Sequence, residues 1–248
     1  MVNTFFAIWI LLAKFAEHSN IDYSMKNIKL LVGALSKWTA GVVLVFALLF
    51  LPASTFCYPG GWRLLVLLFI PMLLLGVFLY IYAPDLLEKR LRGKEERVKQ
   101  KGVVAWSGLL FVVSFVVAGF DFRYGWSAMP GWVPWVAGLL LVAAYVMYAE
   151  VMRENAYLSR TIEVQENQTV ISDGLYGFVR HPMYLATLFM FLPLPLILGS
   201  LWGLIPFSLY VPVTVIRILN EEKVLSEGLD GYTEYTKKVK YRLLPFIW

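Results

Sequence analysis

The chain has 248 residues, 59% of them hydrophobic and only 16% charged, with a net charge of +5 and a mean hydropathy of +0.67. Soluble domains carry roughly a quarter charged residues, so this balance excludes a water-soluble protein and predicts an all-α integral membrane protein. One cysteine, Cys57, excludes an intrachain disulfide and a thiolate metal site, and the two histidines, His18 and His181, lie too far apart in sequence to suggest a histidine-rich one.

The first apolar run, Phe5–Phe15, is too short to cross about 30 Å of hydrocarbon and reads as an interfacial segment. Only Met1–Thr4 precede it, without a basic stretch, so no cleavable signal is expected. Four spans follow, at Leu35–Pro52, Trp62–Tyr82, Val103–Phe120 and Trp132–Tyr148, the first beginning as early as Leu30. Asp85–Lys101 between the second and third carries Lys89, Arg90, Arg92, Lys94, Arg97, Lys99 and Lys101, and reads as a solvated loop whose charges need no further function. After the polar stretch Arg153–Arg180 come two short apolar pieces, Met183–Leu198 and Leu204–Ile218, joined by an uncharged link. The first contains Pro193 and Pro195, and the pair reads as a tight helical hairpin rather than two full spans.

Basic residues concentrate in Asp85–Lys101, Arg153–Arg180 and the tail from Arg217, whereas the loops Ala53–Gly61 and Asp121–Gly131 hold only Arg123 between them. The positive-inside rule puts the three basic stretches in the cytoplasm and explains the net charge without a nucleic-acid partner. The expected organisation is an interfacial segment (1–34), helices that shape an acceptor tunnel (35–150) and a C-terminal catalytic and cofactor-binding region (151–248) forming a multispanning bundle with a cytoplasmic cofactor pocket. The lipid bilayer is the expected surrounding, a prokaryotic cell membrane the expected location, and no obligatory protein partner is evident.

The stretch from Gly174 to Tyr184 concentrates the chemistry. Pro182 suits the first position of a helix and pushes His181 into the capping position. The N–H groups of Met183, Tyr184 and Leu185, the helix dipole and Arg180 then predict an anion site at the membrane edge. Arg217 and Glu221, four residues apart, share one helix face and should return to the same membrane surface. Such groups at the edge of the hydrocarbon by default suggest a site. A carboxylate acceptor there needs only a cation to hold it, for which Arg217 is suited; an amine or phenol must lose a proton, for which Glu221 is the candidate base. The residues leave that choice open.

The order Gly-x-Tyr-x-x-x-Arg-His-Pro-x-Tyr, then Arg-x-x-x-Glu-Glu, then Gly-Tyr-x-x-Tyr resembles the isoprenylcysteine carboxyl methyltransferase family and the related phospholipid methyltransferases, over about residues 150–248. The resemblance implies S-adenosylmethionine as cofactor and a lipidic or prenylated methyl acceptor. It places Gln168, Thr169, Val170 and Ile171 at the adenosyl end, Tyr176, Arg180, His181, Pro182, Met183 and Tyr184 around the cofactor, and Arg217 and Glu221 as catalytic groups at the acceptor end. Gln168 stands where many relatives have His, and Ala186 stands where the Tyr-x-Gly form has Gly, adding a methyl where backbone or ligand approaches closely. Two rival classes remain: a membrane reductase of the sterol-reductase type using a nicotinamide dinucleotide, and a non-catalytic transporter or structural subunit. One-sided charge confined to the second half argues against transport.

Overall fold

The computed structural model describes residues 24–91, 98–158, 162 and 164–248, so the interfacial reading of Phe5–Phe15 lies outside the described residues. Within them the chain forms α1 (Ser24–Ala53), α2 (Pro59–Tyr82), α3 (Pro84–Leu91), α4 (Val98–Tyr124), α5 (Val133–Glu154), a 3-10 turn (Gly174–Gly177), α6 (Pro182–Phe191), α7 (Leu194–Leu198), α8 (Leu204–Ser208), α9 (Tyr210–Gly228) and α10 (Tyr232–Lys238). Five described stretches are long and apolar enough to cross a bilayer: Ile28–Ala53, Pro59–Tyr82, Lys101–Tyr124, Val133–Glu154 and Leu204–Gly228. Their outer surfaces are greasy, with Leu51 75%, Leu139 71% and Val146 68% exposed. In water such surfaces would drive aggregation; in hydrocarbon they are the required solvent contact.

Two sequence expectations change. The first candidate span reaches back to Ile28, earlier than the expected Leu30 or Leu35, and no proline interrupts the helix before Pro52. Its polar Lys37 finds a partner at the membrane edge, donating from Nζ to the carbonyl of Leu91 at 2.6 Å. The C-terminal hairpin, in turn, runs the full depth of the bundle. Its first arm breaks between α6 and α7 near Pro193. Its second is of spanning length, bent at Leu209 where Pro212 has no N–H to give Ser208. Charge begins at Arg217, but the helix continues to Gly228.

The turn of that hairpin is clasped at the end of the bundle opposite α3. Asp121 of α4, buried to 2% exposure, accepts from the Ser127 backbone N–H at 2.7 Å and from the hydroxyls of Ser127 at 2.6 Å and Ser200 at 2.5 Å. The Tyr58 hydroxyl donates to Leu198 O at 3.1 Å, and Arg63 Nη1 donates to Ile197 O at 3.1 Å. A Cβ on Gly60 would stand 2.6 Å from Leu198 O, so only glycine admits the turn this close to α2. The largest buried cluster, including Leu49, Tyr58, Leu64, Leu141, Leu194, Ile197 and Phe207, gathers around this contact. Replacing Asp121 by Ala strands three donors and should destabilise the protein by about 3 kcal/mol. Hydrogen exchange at residues 199–204 should quicken, whereas unchanged exchange there would show that the clasp is dispensable.

Candidate active site

At the opposite end packing is looser. A cavity of about 730 Å³ lies between a wall of α2, α5 and α6 and a wall of α4 and α9. This falls within the range of roughly 300–1,000 Å³ usual for sites that enclose a small molecule. Its inner part is apolar, with Leu68, Met72 and Leu75 from α2 and Val104, Gly108 and Phe111 from α4. Leu68 lies about 20 Å along α2 from the end at Tyr82, which sets the depth. Its outer part is polar, formed by residues 168–171, the 3-10 turn, the start of α6, the end of α9 and α10.

Glu222 organises that outer part. Its Oε1 accepts from Arg180 Nη1 at 3.0 Å and faces His181 Nε2 at 3.4 Å, and its Oε2 accepts from Arg242 Nε at 2.7 Å. Arg180 also donates from Nε to Val239 O at 2.7 Å and from Nη2 to Thr236 O at 2.8 Å. The main chain follows suit, Arg180 N donating to Tyr241 O and His181 N to Arg242 O, both at 2.9 Å. The chain thus supplies its own anion to the Arg-His pair. The N–H groups of Tyr184 and Leu185 close on the His181 carbonyl at 3.1 and 3.2 Å, so they are not left pointing at a ligand. The expected anion site is occupied by the Glu222 carboxylate, and Arg180 staples the tail across the cavity.

The turn before it is fixed equally firmly. Leu175 N donates to the Glu154 carboxylate at 2.9 and 3.1 Å. Gly174 has φ +57, and a Cβ there would meet Glu154 Oε1 at 1.8 Å. A side chain is therefore barred twice, by conformation and by contact. Asn155 Nδ2 donates to the Tyr176 hydroxyl at 3.0 Å, while the Tyr235 hydroxyl donates to Tyr176 O at 2.7 Å. Burial pushes the phenols of Tyr176, Tyr232 and Tyr235 above their usual range, which keeps them neutral hydrogen-bonding groups at physiological pH. Tyr232, which also lines the cavity, holds the one buried side-chain polar atom without a hydrogen-bond partner among the described residues.

Deeper in, Tyr184 joins the two groups expected at the acceptor end. Its hydroxyl donates to Glu221 Oε2 at 2.5 Å and accepts from Arg217 Nε at 2.9 Å. All three line the cavity where its polar and apolar parts meet. On the other wall, Arg90 of α3 donates to the Tyr148 hydroxyl, lies 5.2 Å from the centre of that ring, and places Nη2 3.6 Å from Met183 Sδ. Lys89 Nζ donates to Gln165 Oε1 at 2.9 Å. The segment read as a solvated loop thus sends Arg90 into the cavity wall.

Gln168, Thr169, Val170, Ile171, Tyr176, Arg180, His181, Met183, Tyr184, Arg217 and Glu221 all line one cavity; Pro182 is buried beside it and opens α6. Gln168 Oε1 accepts from Gln165 N at 2.8 Å, stiffening its own loop. Ala186 is fully buried and absent from the lining, so its extra methyl fills the interior rather than the cavity. Glu222, Glu154, Arg90 and Arg242 carried no assigned role in the sequence reading. The Glu-Glu pair and the arginine of the tail were the available signals for two of them.

Residues 132–230, from the residue before α5 to the one after Leu229, match the family model of phospholipid methyltransferases. Over this region, somewhat less than half of its length, the chain is similar to that family. It is 28% identical over 106 residues to protein-S-isoprenylcysteine O-methyltransferase of Schizosaccharomyces pombe, covering 41% of this chain and 45% of the relative. It is also 32% identical over 92 residues to a Delta(14)-sterol reductase of Mus musculus, covering 36% of this chain and 22% of the relative. The chain therefore spans less than half the length of either curated relative. The family region holds the Arg217–Tyr184–Glu221 group and Glu222, while Arg90, the α2 and α4 walls and the tail lie outside it.

Removing the Glu222 carboxylate leaves Arg180, Arg242 and His181 crowded together, a change that costs about 3 kcal/mol or more at a buried pair. Glu222→Ala should therefore release the tail, and brief trypsin digestion should cut at Lys237–Arg242 in the variant while sparing the parent. Equal resistance of both proteins would show that the tail is held by its backbone contacts alone.

Proposed function

We propose that this protein is an S-adenosylmethionine-dependent membrane methyltransferase acting on a lipidic acceptor, with the carboxylate of an isoprenylated cysteine as the favoured case. The observation that carries the reading is the Arg217–Tyr184–Glu221 group at the junction of a polar and an apolar compartment, within the family-matched region. The residues present suit the cofactor. Gln168–Ile171 and Tyr176 offer backbone groups and an aromatic wall to a nucleoside, and Tyr232 is a buried phenol still lacking a partner. When bound, S-adenosylmethionine supplies a methyl group on a positively charged sulfur, open to in-line displacement.

The protein's own part is alignment and exclusion of water. Arg217 holds an anionic acceptor oxygen. Tyr184 fixes the guanidinium and the Glu221 carboxylate relative to one another by bonding to both. Arg180 and Glu222 close the tail over the polar compartment. The expected face is the cytoplasmic one, by the distribution of basic loops.

The likeness to a sterol reductase favours a second reading, in which the same cavity takes a nicotinamide dinucleotide. Calorimetry on the detergent-solubilised protein separates the two: saturable binding of S-adenosylhomocysteine supports the methyltransferase, and binding of NADPH in its place overturns it. The acceptor class then follows from two variants. With a carboxylate acceptor, Arg217→Ala should lower kcat/KM by about 100-fold or more, and Glu221→Gln should cost much less, since no proton has to be removed. The reverse order would identify an amine or another protonated acceptor.

A further inference from the structure

The Gly-Tyr-x-x-Tyr motif at Gly231–Tyr235 opens α10 just beyond the family-matched residues, and both of its tyrosines line the polar compartment. Gly231 has φ +82, a left-handed conformation that glycine adopts without strain. The chain turns back there, and Tyr232 N donates to Leu229 O at 3.2 Å. Three phenols meet in this compartment, and one differs from the others. The Tyr235 hydroxyl donates to Tyr176 O at 2.7 Å, and the Tyr176 hydroxyl accepts from Asn155 Nδ2 at 3.0 Å. The Tyr232 hydroxyl is buried, on a residue 4% exposed, and has no hydrogen-bond partner among the described residues. The charges that act on it, Glu222, Glu221 and Arg180, are bonded to other groups. A buried hydroxyl left without a partner destabilises a fold, and in a native interior it calls for an explanation.

We infer that Tyr232 is a cofactor-binding residue whose hydroxyl hydrogen-bonds the nucleoside of S-adenosylmethionine. This rests on the methyltransferase reading and goes beyond it by giving the tail a direct part in recognition. Packing identifies the end of the ligand. Tyr232 belongs to a buried cluster with Leu229 and Tyr235 against which Val170 packs, so it stands beside residues 168–171. The Arg217–Tyr184–Glu221 group lies deeper, where the cavity turns apolar. A nucleoside offers ring nitrogens and ribose hydroxyls, which a neutral phenol meets as donor or acceptor. Thr236, one turn further along α10, accepts from Arg180 Nη2 at 2.8 Å, so recognition and tail closure act on the same short helix. Removing the hydroxyl therefore has opposite effects on the two states. The free protein loses a defect, and the complex loses a bond.

Tyr232→Phe keeps the ring and removes the hydroxyl alone. In detergent, the ligand-free variant should melt about 2–4 °C above the parent. Its affinity for S-adenosylhomocysteine, measured by calorimetry, should fall by about fivefold to tenfold. Tyr235→Phe, which breaks the bond to Tyr176 O, should instead lower the melting temperature. The second probe is 5′-methylthioadenosine, which keeps the nucleoside and lacks the amino-acid end; Tyr232→Phe should weaken it by the same factor. Parent-like affinity for both ligands in Tyr232→Phe overturns the proposal. So does a lowered melting temperature in that variant, which would give the hydroxyl a structural bond. Loss of S-adenosylhomocysteine affinity with 5′-methylthioadenosine unaffected overturns the nucleoside assignment and moves the contact to the amino-acid end. A parent that fails to bind S-adenosylhomocysteine refutes the methyltransferase reading itself, a separate result. NADPH bound in its place, with the same loss in Tyr232→Phe, would keep the nucleoside role, since that dinucleotide also carries an adenosine; NADPH binding indifferent to the substitution, or no binding of any of the three, overturns it.

Discussion

The outer half of this molecule depends on one carboxylate. Glu222 bonds Arg180 and Arg242 and faces His181, so a single side chain near the end of α9 connects the start of α6 with the tail. Burying two guanidiniums and an imidazole at a membrane edge is unfavourable unless an anion is built in. Because that anion is supplied internally, the cations join the start of α6 to α9 and the tail. Residue 221 faces the cavity and residue 222 faces the tail, so two adjacent glutamates on one helix serve different surfaces, as a turn of about 100° per residue requires.

Uneven packing produces the cavity. At one end, large side chains and close backbone approaches fill the space between helices, and the hairpin turn is locked by Asp121, Tyr58 and Arg63. At the other, α9 still packs on α6 through Leu185, Leu188 and Ile218, but the space enclosed by α2, α4, α5, α6 and α9 is lined rather than filled. The kinks near Pro193 and at Leu209 belong to the same design, since they let one hairpin meet the tight end and diverge toward the open one.

The spans were legible because a bilayer demands about 20 apolar residues per crossing and tolerates little else. The far arm of the hairpin was underestimated because hydropathy stops at Arg217, whereas the backbone stays helical to Gly228. Gln168–Ile171, Tyr176, Arg180, His181, Met183, Tyr184, Arg217 and Glu221 line one cavity while Pro182 does not; their chemical roles rest on the proposal. Arg180 was legible as important but not as a staple, because its partners are the Glu222 carboxylate and carbonyls of residues 236–240, all far away in sequence. Arg90 was hidden among six other basic residues of one loop. The burial of Leu87 on the same helix is what turns Arg90 toward the cavity.

The clasp at Asp121 has a consequence for traffic within the membrane. With Tyr58, Ser200 and Phe207 at 1% exposure and Asp121 at 2%, the far end of the bundle is plugged by protein. A guest molecule cannot be threaded through from that surface, and its head has to be presented from the side on which α3 and the tail lie. On the proposed function the protein would be a one-leaflet device: a lipidic acceptor would be drawn from and returned to the same half of the bilayer, and one lying in the opposite half would first have to be flipped by something else.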